Sequence, residues 1–259
     1  MFKYDIINIF GRAHSMSRYL EICTPITGGR FAYIDPAVWM VRHRLMYRCP
    51  ETFDDGLPFH FRTQSEGAHD LIRALDEVLP KSDRYDLIFV DPWHSYDAGI
   101  LDLNGALCLL RPGGVIVVHD CNPTDSTIVG SDFKDGDWCG VTYQSFIDFV
   151  LAAQPAGYLV VDTDYGCGLV FTQGSSLPPG LPNARPAQRL IFEWCLARAK
   201  EETRFAFFER NRVQLLNLVS PEQFAAAYGA LHPSTKGDDD SNAQKAPALE
   251  AGSTDDIPT

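Results

Sequence analysis

The sequence predicts an open α/β fold, a doubly wound and mostly parallel sheet with helices on both faces. Three observations carry that prediction. Residues 87–90 and 115–118 are near-continuous apolar runs, as strands buried on both faces are. A helical stretch at 96–110 separates them, so strands and helices alternate as in a parallel sheet. Both apolar runs close on an acid, Asp91 and Asp120. Parallel neighbours would put the two carboxylates at one edge, the carboxyl edge where such folds bind ligands.

The elements follow in order. Residues 1–17 read as a short lead anchored by Phe2, Ile6, Ile7, Ile9 and Phe10. Strands are expected at 18–24, 43–48 and 59–63, with a turn at Pro25–Gly29 and a loop at 52–56. Ser65 is expected to cap a helix that runs to about Leu79 and stops at Pro80. The strand ending at Asp91 comes next. The helix after it places Ile100, Leu103, Ala106, Leu107 and Leu110 on one apolar stripe. Arg111-Pro112-Gly113-Gly114 breaks that helix and leads into the strand ending at Asp120. The polar loop 122–137 is long enough to serve as a lid. A helix is expected near 142–153, then a hairpin of strands 158–163 and 168–172 joined by Asp164-Tyr165-Gly166.

Residues 1–173 are expected to form this domain, with 174–232 a linker and helices packed on it. Ser220-Pro221-Glu222-Gln223 supplies an N-cap, a proline at the first helical position and a glutamine at the third, so it opens a last helix. The acidic segment 233–259 lacks aromatics and is expected to be disordered.

Composition narrows the function. The chain has 259 residues, 45% of them hydrophobic, and a formal net charge of −12. That charge argues against nucleic acid or an anionic membrane as the main partner. No apolar run is long enough for a membrane span, and the first residues do not read as a signal peptide. A cytoplasmic location is expected. The seven cysteines include no Cys-x-x-Cys pair and read as reduced thiols.

The chemistry concentrates in Asp91-Pro92-Trp93-His94 and in Asp120. Two carboxylates with a histidine suit the holding of a metal and the taking of a proton. The plainer readings stand beside this one. Asp91 and Asp120 could cap following helices, His94 could start a helix, and Trp93 could be core packing. His119 is expected to face the opposite side of its strand by alternation. Trp138–Tyr143 reads either as a substrate wall or as a helix start anchored by Trp138, and Tyr165 as a turn residue within reach of the same cleft.

Tyr85–Asp91 with the following His94, then Leu109-Leu110-Arg111-Pro112-Gly113-Gly114, then Val115–Asp120, resembles the class I S-adenosylmethionine-dependent methyltransferases. The likeness covers residues 17–172. It implies a Rossmann-like, seven-stranded sheet with a terminal antiparallel hairpin. Asp91–His94 is most similar to the metal-dependent O-methyltransferases of the catechol and sugar types. By that resemblance Asp91, Asp120 and Asn122 would hold Mg²⁺ or a similar cation, and His94 would be the general base. Glu21, Thr24, Gly28, Gly29, Ser65 and Trp93 would bind S-adenosylmethionine, with Trp93 against the adenine. The acceptor implied is a hydroxyl of a sugar, glycan or small natural product, and self-association into a homo-oligomer is allowed. The chain departs from the family after Glu21, where Cys23 and Thr27 stand at the usual glycine positions. That departure leaves a second expectation open, a methyltransferase-fold binding or scaffold protein with a degenerate cofactor site.

Overall fold

The computed structural model describes residues 1–28, 31–175 and 177–228. Gly29 and the expected disordered tail lie outside the described residues. The elements are α1 (Lys3–Ala13), β1 (Arg18–Cys23), β2 (Val41–Met46), β3 (Phe61–Arg62), α2 (His69–Val78), β4 (Tyr85–Val90) and α3 (Tyr96–Leu109). They continue as β5 (Leu110–Val118), α4 (Thr142–Ala153), β6 (Gly157–Val161), β7 (Cys167–Phe171), α5 (Gln188–Ala197), α6 (Glu201–Leu216), β8 (Leu218–Val219) and α7 (Pro221–Ala227).

The strands form one sheet in the order β3-β2-β1-β4-β5-β7-β6-β8. Pairing from β3 through β5 is parallel, and β7 runs antiparallel to both β5 and β6. The sheet therefore has eight described strands where seven were expected. The addition is β8, which pairs in parallel with β6 at Val160 and Val161. Two residues behind a left-handed Asn217 (φ 48°) carry no alternation to read. Chain order reverses between β1 and β4, which puts a crevice at their carboxyl ends.

One face of the sheet is covered by α2 to α6, through Ile72, Leu103, Phe146, Trp194 and Phe208. The other is covered by α1 and α7, through Ile6, Ile7, Phe10 and Phe224 packed on Leu87, Phe89, Val115 and Val117. The helices expected within 174–232 include α5 and α6, which are separated by a break near Lys200. The last helix starts as its capping box requires, with Ser220 Oγ accepting from Gln223 N at 3.2 Å.

Two expectations are corrected. The lead 1–17 contains a three-turn helix, α1, because Ile6, Ile7 and Phe10 recur on one side and bury against the sheet. Ser65 does not cap α2, which starts at His69 behind Ala68. Ser65 is instead drawn into a local turn: its hydroxyl accepts from Thr63 Oγ1 at 3.0 Å and its N–H donates back at 3.1 Å.

Candidate active site at the β4–β5 edge

β4 is buried along its whole length, and Asp91 is the first residue beyond it. The ladder still holds there: Asp91 N donates to the Ile22 carbonyl at 2.9 Å, and His119 N donates to the Val90 carbonyl at 3.0 Å. At Asp120 the backbone turns left-handed, with φ 59°. Strand alternation has ended by then, so His119 and Asp120 both face the crevice. The expectation that His119 points away is therefore corrected.

His94 occupies the centre. Its Nδ1 donates to the Trp138 carbonyl, and its Nε2 lies 2.9 Å from Asp120 Oδ2 and 3.4 Å from Asp91 Oδ1. An imidazole with one nitrogen on a carbonyl and the other between carboxylates carries a proton on each. Burial alone would lower its pKa, but Asp120 and then Asp91 outweigh burial and raise it to about 9. His119 is also held above its ordinary value: burial and Lys3 oppose protonation, and Asp120 and Asp91 prevail. Its Nδ1 lies 3.0 Å from Asp120 Oδ2, and its Nε2 lies 3.4 Å from Asp164 Oδ2.

Lys3 completes the cluster, and the sequence reading passed over it. Its ammonium reaches 3.0 Å from Asp91 Oδ2 and 3.2 Å from His119 Nδ1, with only 7% of the residue exposed. Lys3 and His119 overcome the burial of Asp91 and hold its carboxyl well below the usual range. His119 and His94 do the same for Asp120. The signal for Lys3 was present: it lies four and seven residues before Ile7 and Phe10, on the same apolar stripe.

The loops around the cluster are built to hold His94. Trp93 N donates at 2.6 Å to Tyr47 Oη, which donates at 2.8 Å to the buried Asp102 of α3. Val141 N donates to the His94 carbonyl at 2.9 Å. Gly140 sits so close that an added Cβ would lie 2.1 Å from that carbonyl oxygen. Trp138 therefore anchors the approach to α4 and also places its carbonyl on His94. Phe133, from the long loop, stacks on Trp93 at 5.6 Å and meets Trp138 edge-on at 5.3 Å.

Residues 28–121 match the family described as "Methyltransferase domain", a stretch that holds Asp91, His94 and Asp120 together. Over that stretch, about a third of the chain, the sequence is similar to methyltransferase domains. No curated protein matches the sequence significantly. Among solved structures, the O-methyltransferase TomG of Streptomyces achromogenes, involved in tomaymycin synthesis and bound to S-adenosylmethionine, is 18% identical. That alignment covers 65% of this chain and 79% of TomG, with a TM-score of 0.44. An O-methyltransferase from Bacillus cereus is 13% identical over 65% of this chain and 80% of its own, with a TM-score of 0.45. MycE of the mycinamycin pathway, in complex with Mg, is 16% identical over 66% of this chain and 48% of its own, with a TM-score of 0.39. None of these three likenesses bears on substrate or cofactor.

Glu21 is buried in β1, and its Oε1 is a buried oxygen without a hydrogen-bond partner. Burial, and then Asp91, raise its pKa to about 7. Such an orphaned carboxylate suits the ammonium of a bound amino acid. Thr24 and Thr27 bond each other through their hydroxyls at 3.1 Å, and Thr27 Oγ1 donates to the Asp91 carbonyl at 2.7 Å. The threonine at a usual glycine position thus ties the Thr24–Gly28 turn to the acid edge. Gly28 closes the turn, where an added Cβ would meet Cys23 Sγ at 2.7 Å. Trp93 already stacks on Phe133 and has the Arg48 guanidinium over its ring at 4.3 Å, so adenine would have to displace one of them. Asn122 donates Nδ2 to Asp162 Oδ1 at 2.8 Å, and its own Oδ1 is buried without a hydrogen-bond partner. Ser65 is exposed in its turn, and none of its recorded bonds reaches the cluster.

Proposed function

We propose that this protein is an S-adenosylmethionine-dependent O-methyltransferase acting on a hydroxyl of a sugar or small natural product, with His94 as general base. One observation carries the reading: His94 presents Nε2 to the carboxyl edge of β4 and β5 while the Trp138 carbonyl fixes the proton on Nδ1. Glu21 and the Thr24–Gly28 turn would hold S-adenosylmethionine, which supplies an electrophilic methyl group.

The rest is done by this chain's residues. Nε2 takes the proton as the acceptor's O–H bond breaks; the freed electron pair would form the new O–C bond while the methyl carbon's bond to the cofactor's sulfonium sulfur would break and leave its electrons on sulfur. Asp91 and Asp120 stabilise the imidazolium that results. Because those acids also keep His94 protonated at rest, the base must first lose a proton, and that sets the pH dependence. Trp93, Phe133 and Trp138 form an aromatic wall beside His94, suited to the apolar face of a sugar or a ring-bearing acceptor. Holding the two reactants in line would supply much of the remaining rate.

Mg²⁺ has no part in this proposal. One atom each of Asp91, His94 and Asp120 lie within 4.8 Å of one another, close enough to ligate an ion. The same oxygens already face Lys3, His94 and His119. A cation of this size and charge does not fit beside that ammonium without displacing it.

Trideuteromethyl-labelled S-adenosylmethionine, offered with a panel of hydroxylated and amine acceptors, tests the reading by mass spectrometry. The label is expected on an oxygen. Label found only on nitrogen or carbon, or on no acceptor at all, overturns it.

A further inference from the structure

We propose that Lys3 is the resident cation of this site, its ammonium standing among Asp91, Asp120 and Asp164 where related chemistry would place a divalent ion. The placement is built into the fold. α1 points its N-terminus at the carboxyl edge, and Lys3 N donates to Asp164 Oδ2 at 3.3 Å, so that acid also sits at the positive end of the helix. The Met1 carbonyl accepts from Thr163 Oγ1 at 2.5 Å, which pins the start of α1 to the same β6–β7 turn. Ile6, Ile7 and Phe10 then bury the helix against the sheet. The ammonium is thereby held at 3.0 Å from Asp91 by three separate anchors rather than by a free side chain.

The arrangement is balanced without a metal. Three acids, Asp91, Asp120 and Asp164, face three basic side chains, Lys3, His94 and His119. Asp120 Oδ1 also accepts from Cys139 Sγ at 3.4 Å. A divalent ion arriving here meets a fixed positive charge and carboxylate oxygens that already accept hydrogen bonds. Lys3 is a positioning residue: it orients Asp91, whose other oxygen lies 3.4 Å from His94 Nε2.

The inference concerns the site of the proposed reaction, but its test needs neither cofactor nor acceptor. Titration of the full chain with Mn²⁺, followed by calorimetry and electron paramagnetic resonance, reads occupancy directly. The wild type is expected to bind no Mn²⁺ at this edge. Lys3→Ala removes the ammonium and is expected to create a site roughly 100-fold tighter or more, lost again in Lys3→Ala/Asp120→Asn. Lys3→Met keeps most of the buried stem and serves if the alanine variant does not fold. An Mn²⁺ equivalent bound by the wild type and lost in Asp120→Asn overturns the inference. So does a folded Lys3→Ala or Lys3→Met protein that gains no site. Failure to bind S-adenosylmethionine would sink the proposed reaction and leave this result untouched.

Discussion

His94→Gln is expected to lower turnover on a hydroxyl acceptor by roughly 10²- to 10⁴-fold, the usual contribution of a positioned general base. Glutamine keeps a polar group between Trp138 and the acids but cannot accept the proton. The pH profile separates this role from a structural one. Only the unprotonated imidazole works as a base, and its pKa is raised to about 9 because Asp120 and Asp91 outweigh burial. Wild-type kcat/KM should therefore climb as pH rises from neutrality and level off near that value, and the variant should lack the climb. A wild-type profile flat over that range, or one levelling near the ordinary histidine value of about 6.5, would remove His94 from the role. Stability should move the opposite way. A folded pKa raised above the unfolded one gives stability that is complete below about pH 6.5. It is lost as pH rises through about 9. Thermal unfolding of the wild type across that window should show the decline.

Gly140→Ala should be nearly as damaging, by a different route. Gly140 has φ 58°, and an added Cβ would lie 2.1 Å from the His94 carbonyl oxygen and 2.5 Å from the His94 Cβ. Neither neighbour is the end of a flexible chain, so the 138–141 segment must withdraw from the 92–95 turn. Withdrawal breaks the bond from Val141 N and pulls the Trp138 carbonyl off Nδ1. The left-handed backbone costs about 1–2 kcal/mol for a non-glycine residue. Overpacking adds about 1–3 kcal/mol. We expect a combined loss of about 2–5 kcal/mol in denaturant unfolding, with turnover falling under conditions where the variant is folded. Gly136→Ala is the control, because its φ is also left-handed at 86° but an added Cβ meets nothing within 4 Å. It should lose only the backbone contribution and keep turnover. Equal losses in the two variants would show that contact with His94 is not what Gly140 provides.

Much of this was legible in the sequence because it depended on local pattern. The apolar runs ending at Asp91 and Asp120 located β4 and β5, and Ser220-Pro221-Glu222-Gln223 placed α7 to the residue. What escaped depended on distant parts of the chain. Lys3 lies 88 residues from Asp91, and no local rule links them. His119 was assigned to the wrong side because the left-handed turn at Asp120 ends the strand's alternation, and a non-glycine residue there gives no warning. Thr27 stands where a glycine is usual, and its bond to the Asp91 carbonyl spans 64 residues that no local pattern links. Asn122 donates Nδ2 to Asp162, forty residues on, and keeps a buried Oδ1 without a partner, neither of which a local pattern shows.

The central claim is that this acid edge works on S-adenosylmethionine. Calorimetric titration of the full chain with that cofactor tests it most directly. The account predicts one molecule bound per chain, with a dissociation constant in roughly the micromolar range. It also predicts binding weakened about tenfold or more by Glu21→Gln, since a bond to a charged partner is lost. Absence of binding heat in the wild type at any accessible concentration would contradict it and favour a binding protein whose cofactor loop Thr24 and Thr27 have closed.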